Sequence, residues 1–354
     1  MFCYQFPAIK GVQARSEYYI CMVPLKLLNK IFAEELDYVP PQYRAQRILN
    51  QKRIPEIRDY ILNNRDSYVF SALAASIGGN YNFKPVPGSD LGILEIDLES
   101  TFLINDGQHR KAAIIRAIEE DESLKEETIS IVFYADKGLA RSQQMFTDLN
   151  KHAVNSSRSL NTLFDSNDKI AVLSKEVVES IDFFSRYTDM ESDNLGDNSP
   201  CLFTLSMFYD AIKNTVKDLD VRDSSVREFV STYWSELEKN IVEWQELKNR
   251  QITKKALRKD YIIVYGVSIL ALGKLGNYLF KNNKENYKQI LPLLKDINWR
   301  RSNSKDWENR AVNINGKITR SETTINLTYI RIKKLLGIKL AKEEFESDKN
   351  ASRK

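Results

Sequence analysis

The chain has 354 residues, 42% of them hydrophobic, and its 52 Lys and Arg outnumber its 48 Asp and Glu by only four. A length beyond the roughly 250–300 residues at which one core stops growing leads us to expect two domains. So small a mean charge names no partner, and Cys3, Cys21 and Cys201 are too few and too scattered for a disulfide framework or a clustered metal knuckle.

The opening stretch MFCYQFPAIKGVQARSEYY carries Lys10 and Arg15 after its apolar residues, the reverse of a secretory signal, and no apolar run reaches the roughly 18 residues of a membrane span. A cytoplasmic protein without membrane contact is the expectation. From Val23 to Phe70 the pattern reads as helices broken by YVPPQY. The second of these, YRAQRILNQKRIPEIRDYILNN, sets Arg44, Arg47, Lys52, Arg53 and Arg58 against Glu56 and Asp59, with Ile48, Ile57 and Ile61 as core contacts. That basic face suits either a solvated surface or nucleic acid.

YVFSALAASIGG then reads as a buried strand closed by Gly78-Gly79. In GILEIDLESTFLIND, apolar and acidic residues alternate, turn near Ser100 and resume, which predicts a hairpin. Its second arm runs into Asp106-Gly107-Gln108-His109-Arg110 and a helix to residue 120. TISIVFYA is a further strand and SQQMFTDLNKHAV a further helix. Beyond NTLFDSND the segments become helix-length and amphipathic or buried, so the predicted domains are 1–165, an α/β unit, and 166–354, a helical unit. The segment from Trp299 to Lys354 holds 14 Lys or Arg against 7 Asp or Glu. There Trp299 and Trp307 lie among Arg300, Arg301, Lys305 and Arg310, with Lys317 and Arg320 after them, a mixture suited to a phosphate backbone or stacked bases.

Two readings of DGQHR stand side by side. Asp106 or Asn105 can cap the following helix while Gly107 permits a tight turn, which requires no ligand. Alternatively, free helix amides, a glycine, His109 and Arg110 together favour an anion, phosphate above all. The two histidines of the chain, His109 and His152, supply too few ligands for a closed zinc site, and neither a GxSxG elbow nor a GxxxxGK[ST] loop occurs, so no catalytic residue is assigned.

INDGQHRKAAI is the signature of DGQHR-domain proteins, and the chain resembles the DndB family of DNA sulfur modification, or phosphorothioation, systems. QRILNQKRIPEIRDYILNNRDSYVFSALAASI, FTDLNKHAVNSSRSL and GKITRSETTINLT carry the resemblance further along the chain. It implies an α+β fold: a ParB/sulfiredoxin-like mixed α/β core with the motif at a strand-to-helix turn, followed by a mostly α-helical half. In ParB-type relatives the corresponding turn binds nucleotide phosphates, which points to Asp106, Gly107, Gln108, His109 and Arg110 here. Gln108 stands where ParB-type proteins place an acid and sulfiredoxin its cysteine, so sulfiredoxin chemistry is not expected. By the same resemblance an N-x-x-R element falls on Asn150 or on Asn155-Ser156-Ser157-Arg158; Asn150 is favoured for a ligand or Mg²⁺ role and Arg158 for a phosphate contact.

The family implies a DNA-binding repressor of a phosphorothioation operon, with promoter DNA as partner, other modification proteins as further partners, and a homodimer if its operator is palindromic. Arg44, Arg47, Lys52, Arg53, Arg58, Arg300, Arg301, Lys305, Arg310, Lys317 and Arg320 are its candidate DNA contacts. The alternative is a nucleotide-binding or hydrolysing accessory component using a nucleoside triphosphate with Mg²⁺. A third reading makes DGQHR a scaffold turn only.

Overall fold

The computed structural model describes residues 2–32, 49–135, 138–151, 156–196 and 198–352; the side chains of residues 139, 140, 146, 150 and 151 lie outside that description. Two compact units form, Met1–Val154 and Asn155–Lys354. The chain is mixed α/β with a helical second half, as the sequence leads one to expect.

The first unit runs β1 (Cys3–Gln13), β2 (Ser16–Pro24), α1 (Leu28–Ile31), α2 (Arg53–Asn63), β3 (Leu73–Gly78), β4 (Tyr81–Pro85), β5 (Leu91–Asp97), β6 (Thr101–Asp106), α3 (Gln108–Glu120), β7 (Thr128–Ala135) and α4 (Leu139–Lys151). Its seven strands lie in the order β4-β5-β1-β2-β7-β3-β6. β3 and β7 are parallel, and the other neighbours are antiparallel.

The predicted hairpin is not formed as expected. β5 and β6 do not pair with each other; they are two halves of one arm whose partner arm is β3 and β4. The chain reverses instead between β4 and β5, where Val86 N donates to Leu91 O at 2.7 Å. Near Ser100 the ribbon only bends. Asp97 N and Ser100 Oγ both donate to Asn80 O at 3.1 Å, holding the arms together there, while Gly79 takes φ +127°, a conformation open to glycine. Because the outer half pairs with β1 and the inner half with β7, one bent hairpin supplies both ends of the sheet. The sheet curls around Phe6, Tyr19, Leu73, Leu94, Ile104 and Phe133, with Ile61 of α2 and Ile114 and Ala117 of α3 completing that core.

The second unit contains α5 (Arg158–Phe164), α6 (Lys169–Ser180), α7 (Asp182–Tyr187), β8 (Thr188–Asp189), β9 (Phe203–Thr204), α8 (Leu205–Thr215), α9 (Ser224–Asn240), α10 (Val242–Lys248) and α11 (Lys254–Asp260). It ends with α12 (Gly266–Asn282), α13 (Tyr287–Ile290), α14 (Ser304–Trp307), α15 (Glu322–Leu335) and α16 (Lys342–Ala351). The unit begins before residue 166 because the start of α5 is fastened within it. Asp193 accepts from the amides of Arg158 and Ser159 at 2.7 and 2.8 Å.

Aromatic residues knit its centre. Phe183, Phe184, Phe203, Phe208, Trp234 and Trp244 form a chain of edge and stacked contacts, all fully or nearly fully buried. The apolar run YIIVYGVSILALG is not one helix: Tyr261 bridges Arg300 in extended conformation and Ile262 N donates to Trp299 O, so α12 starts only at Gly266. Ser321 caps α15, its Oγ accepting from Thr324 N at 3.1 Å. Among the described residues no helix is long and apolar enough to cross a membrane.

Candidate functional site

The DGQHR motif stands at a strand-to-helix junction. β6 pairs with β3 until a bulge: Ile104 faces Ala75, but the next pair is Asp106 with Ala74, leaving Asn105 as the extra residue. Asn105 is 1% exposed and donates from Nδ2 to Ser76 Oγ at 2.7 Å and to Met145 Sδ of α4 at 3.1 Å. After the bulge Gly107 turns with φ +101°, and a Cβ there would stand 2.3 Å from Leu73 Cδ2. Glycine is therefore required twice, by backbone conformation and by space.

Among the described residues no side chain caps α3 at Gly107. The expectation that Asp106 or Asn105 would do so is corrected. The bulge gives Asn105 to the strand-helix packing, and Asp106 turns to Arg110, whose Nη2 donates to its carboxylate at 2.5 Å. Arg110 also donates from Nη1 to Ser71 O at 2.6 Å, to Ser71 Oγ at 2.5 Å and to Ala72 O at 3.2 Å. Its guanidinium thus staples the segment entering β3 to the turn leaving β6. The half-buried His109 accepts the Asn50 amide on Nε2 at 2.9 Å, which requires that nitrogen unprotonated. Gln108 is the half-buried first residue of α3.

The bond from Asn50 also brings the start of α2 beside the start of α3. Arg116 Nη2 donates to Gln51 Oε1 at 3.2 Å and Arg58 Nη1 to Glu120 Oε1 at 2.9 Å, so the two helices run side by side in the same direction. Lys52 and Arg53 at the start of α2 are exposed and form no ion pair among the described residues. Arg58 is different: Nε and Nη2 bind Asp59 and Nη1 binds Glu120, so this cation joins α2 to α3. Ile54, which the sequence reading overlooked, is 1% exposed beside Ile61. Arg44, Arg47, Ile48 and His152 lie outside the described residues, as does the side chain of Asn150 at the end of α4.

The basic C-terminal stretch undergoes the larger revision. Trp299 and Trp307 are both fully buried, stacked on each other with centroids 5.3 Å apart. They are core residues, unavailable to bases. Arg310 is likewise withdrawn from the DNA-facing set: it and Asp348 are each 1% exposed, joined at 2.6 and 3.0 Å. Burial works to raise the Asp348 carboxyl, but bonds from Lys334 and Arg310 outweigh it and hold the group below its ordinary value. Lys333, also buried, binds Glu344 at 2.7 Å and lies 3.8 Å from the Tyr278 ring centroid. Arg331 pairs with Asp306 and Asp348. Acidic α16 thus neutralises cations of α15 from inside the unit.

Of the other candidates, Arg300 lies over the Tyr261 ring at 4.8 Å, and Arg301 Nε donates to Gly316 O at 2.6 Å. Lys305 and Lys317 are exposed without an ion pair among the described residues. Arg158 and Arg320, 162 positions apart, meet on one carboxylate. Arg158 Nη2 reaches Asp210 Oδ1 at 2.6 Å, and Arg320 Nη2 reaches Asp210 Oδ2 at 2.7 Å. No signal in the sequence pointed to Asp210, which lies inside the amphipathic helix α8.

A family model described as DndB, DNA-sulfur modification-associated, matches residues 6–339. No curated protein and no solved structure matches the chain.

Proposed function

The chain belongs to the DndB family, which is associated with DNA sulfur modification, and from that premise we propose that it is a DNA-binding transcriptional regulator that represses a phosphorothioation operon. Family membership over nearly the whole chain is the observation that carries this reading. The distribution of cations supports it: Lys52, Arg53, Lys305 and Lys317 remain exposed and unpaired among the described residues, while Arg58 and Arg310 are consumed internally. Phosphate contacts from such side chains supply affinity without sequence information, so operator choice belongs to further groups that read base edges or DNA shape.

The test is a fluorescence titration of the protein against duplexes from its own operon promoter and against scrambled duplexes, at several salt concentrations. Tighter promoter binding with a falling log K against log salt is expected; equal affinity for both duplexes overturns the regulator reading. Lys52→Gln combined with Arg53→Gln should lower affinity for both duplexes and reduce the salt slope by about 0.9 per lost phosphate contact. Arg58→Gln should leave that slope unchanged.

A second reading, nucleotide binding at DGQHR, is favoured by the first turn of α3, whose amides receive no side-chain cap among the described residues. Arg110 is already committed to Ser71, Ala72 and Asp106. In this reading the helix amides and Lys52 or Arg53, rather than Arg110, hold the phosphates.

A further inference from the structure

We propose that Arg158 and Arg320 form a phosphate clamp in the second unit, with Asp210 as the internal anion that holds the two guanidinium groups in position until a phosphate replaces it. The ligand is a phosphate oxyanion, carried either by a nucleic-acid backbone or by a free nucleotide. Where the carrier is DNA, the inference rests on the regulator reading above.

Three observations carry it. First, the arginines come from distant segments, NSSRS and KITRS, yet converge on one carboxylate: Arg158 Nη2 on Oδ1 at 2.6 Å and Nη1 on Oδ2 at 3.3 Å, Arg320 Nη2 on Oδ2 at 2.7 Å. Asp210 balances one of the two guanidinium charges and Asp193 supplies a second negative charge near Arg158, so it is the donors left open, rather than net charge, that suit an oxyanion. Secondly, the arginine side chains are 59% and 45% exposed while Asp210 is 21% exposed, so the cations are the more accessible members. Among the described residues, of five N–H donors on each guanidinium, Arg320 spends Nη2 alone and Arg158 leaves Nε without a partner. The free donors have the forked geometry that matches phosphate.

Thirdly, Arg320 lies against the start of α12, a 17-residue helix whose N-cap, Tyr265, provides no side-chain cap. A Cβ on Gly266, its first residue, would meet Arg320 Cδ, Nη1 and Nε at 3.1–3.3 Å, so the glycine admits the guanidinium to the positive end of the dipole. The neighbouring carboxylate Asp193 stays ionised, but its oxygens are already engaged. Burial acts to raise it, but the Arg158 and Ser159 amides and the Ser159 and Ser206 hydroxyls hold it below its ordinary value and engage its oxygens.

The clamp is tested on the full chain with inorganic phosphate, ATP and a promoter duplex as probes at constant ionic strength, reading thermal shift for the first two and fluorescence anisotropy for the third. Wild type should be stabilised by phosphate, and Arg158→Gln with Arg320→Gln should abolish that shift. Asp210→Asn, which keeps both arginines and removes the competing charge, should raise phosphate affinity about tenfold. Loss of DNA affinity in the double variant identifies a backbone phosphate as the carrier; loss of ATP binding alone identifies a nucleotide. Unchanged binding of all three probes in the double variant overturns the clamp, as does an Asp210→Asn protein that is folded but binds phosphate no better than wild type. A wild type that binds phosphate but no DNA would leave the clamp standing and sink the regulator reading.

Discussion

The DGQHR junction and the C-terminal basic stretch are each rich in cations, yet the fold spends those charges differently. At the junction one arginine, Arg110, is used to fasten a turn, while Lys52 and Arg53 at the adjoining start of α2 stay in solvent. In the C-terminal stretch Arg310, Arg331 and Lys333 are drawn inside and neutralised by Asp306, Glu344 and Asp348. A buried charge must find an opposite partner or pay several kcal/mol of desolvation, whereas a surface cation needs none. Cation density along a sequence therefore measures surface potential only where no acidic helix packs against it.

The largest expected effect tests the interior half of that comparison. Asp348→Ala leaves Arg310 buried without its counter-charge and should destabilise the protein by about 3–5 kcal/mol in denaturant unfolding. A loss under about 1 kcal/mol would show that the pair is solvated after all. The wild-type contribution has a defined pH range. Since the folded carboxyl titrates below its ordinary 3.8, its stabilisation is present above that value and is lost as pH falls through the lower folded value.

At the junction, Gly107→Ala should cost about 2–4 kcal/mol, combining a left-handed backbone with a methyl placed against Leu73. If the turn is chiefly a scaffold, the unfolding midpoint should move while DNA affinity per folded molecule stays constant. A fall in affinity at full folding would instead make the turn part of a ligand site.

A smaller effect of opposite sign comes from Glu243, which is 8% exposed with Oε2 unpartnered. Burial pushes its carboxyl up to about 7. The folded state then holds a proton that the unfolded state releases near 4.5, so stability falls as pH climbs between those values. Glu243→Gln cannot ionise and should gain about 2–3 kcal/mol at pH 8 and close to nothing at pH 4. Equal gains at both pH values would refute the titration.

Much of this organisation was legible in the sequence. Period-two alternation marked β5, buried runs marked β3 and β7, and Gly107 between an apolar strand and a helix marked the turn, because each signal depends on neighbours only a few residues apart. What the sequence could not declare was pairing at a distance. Whether Ser100 reverses or bends the ribbon is decided by β1 and β7 competing for its two halves. Whether Trp299 and Trp307 face bases or each other depends on how the second unit packs, and whether Arg310 is a surface cation depends on α16 arriving with Asp348. Local pattern sets the elements; burial and charge compensation, which sum over the folded chain, decide which residues remain for a partner.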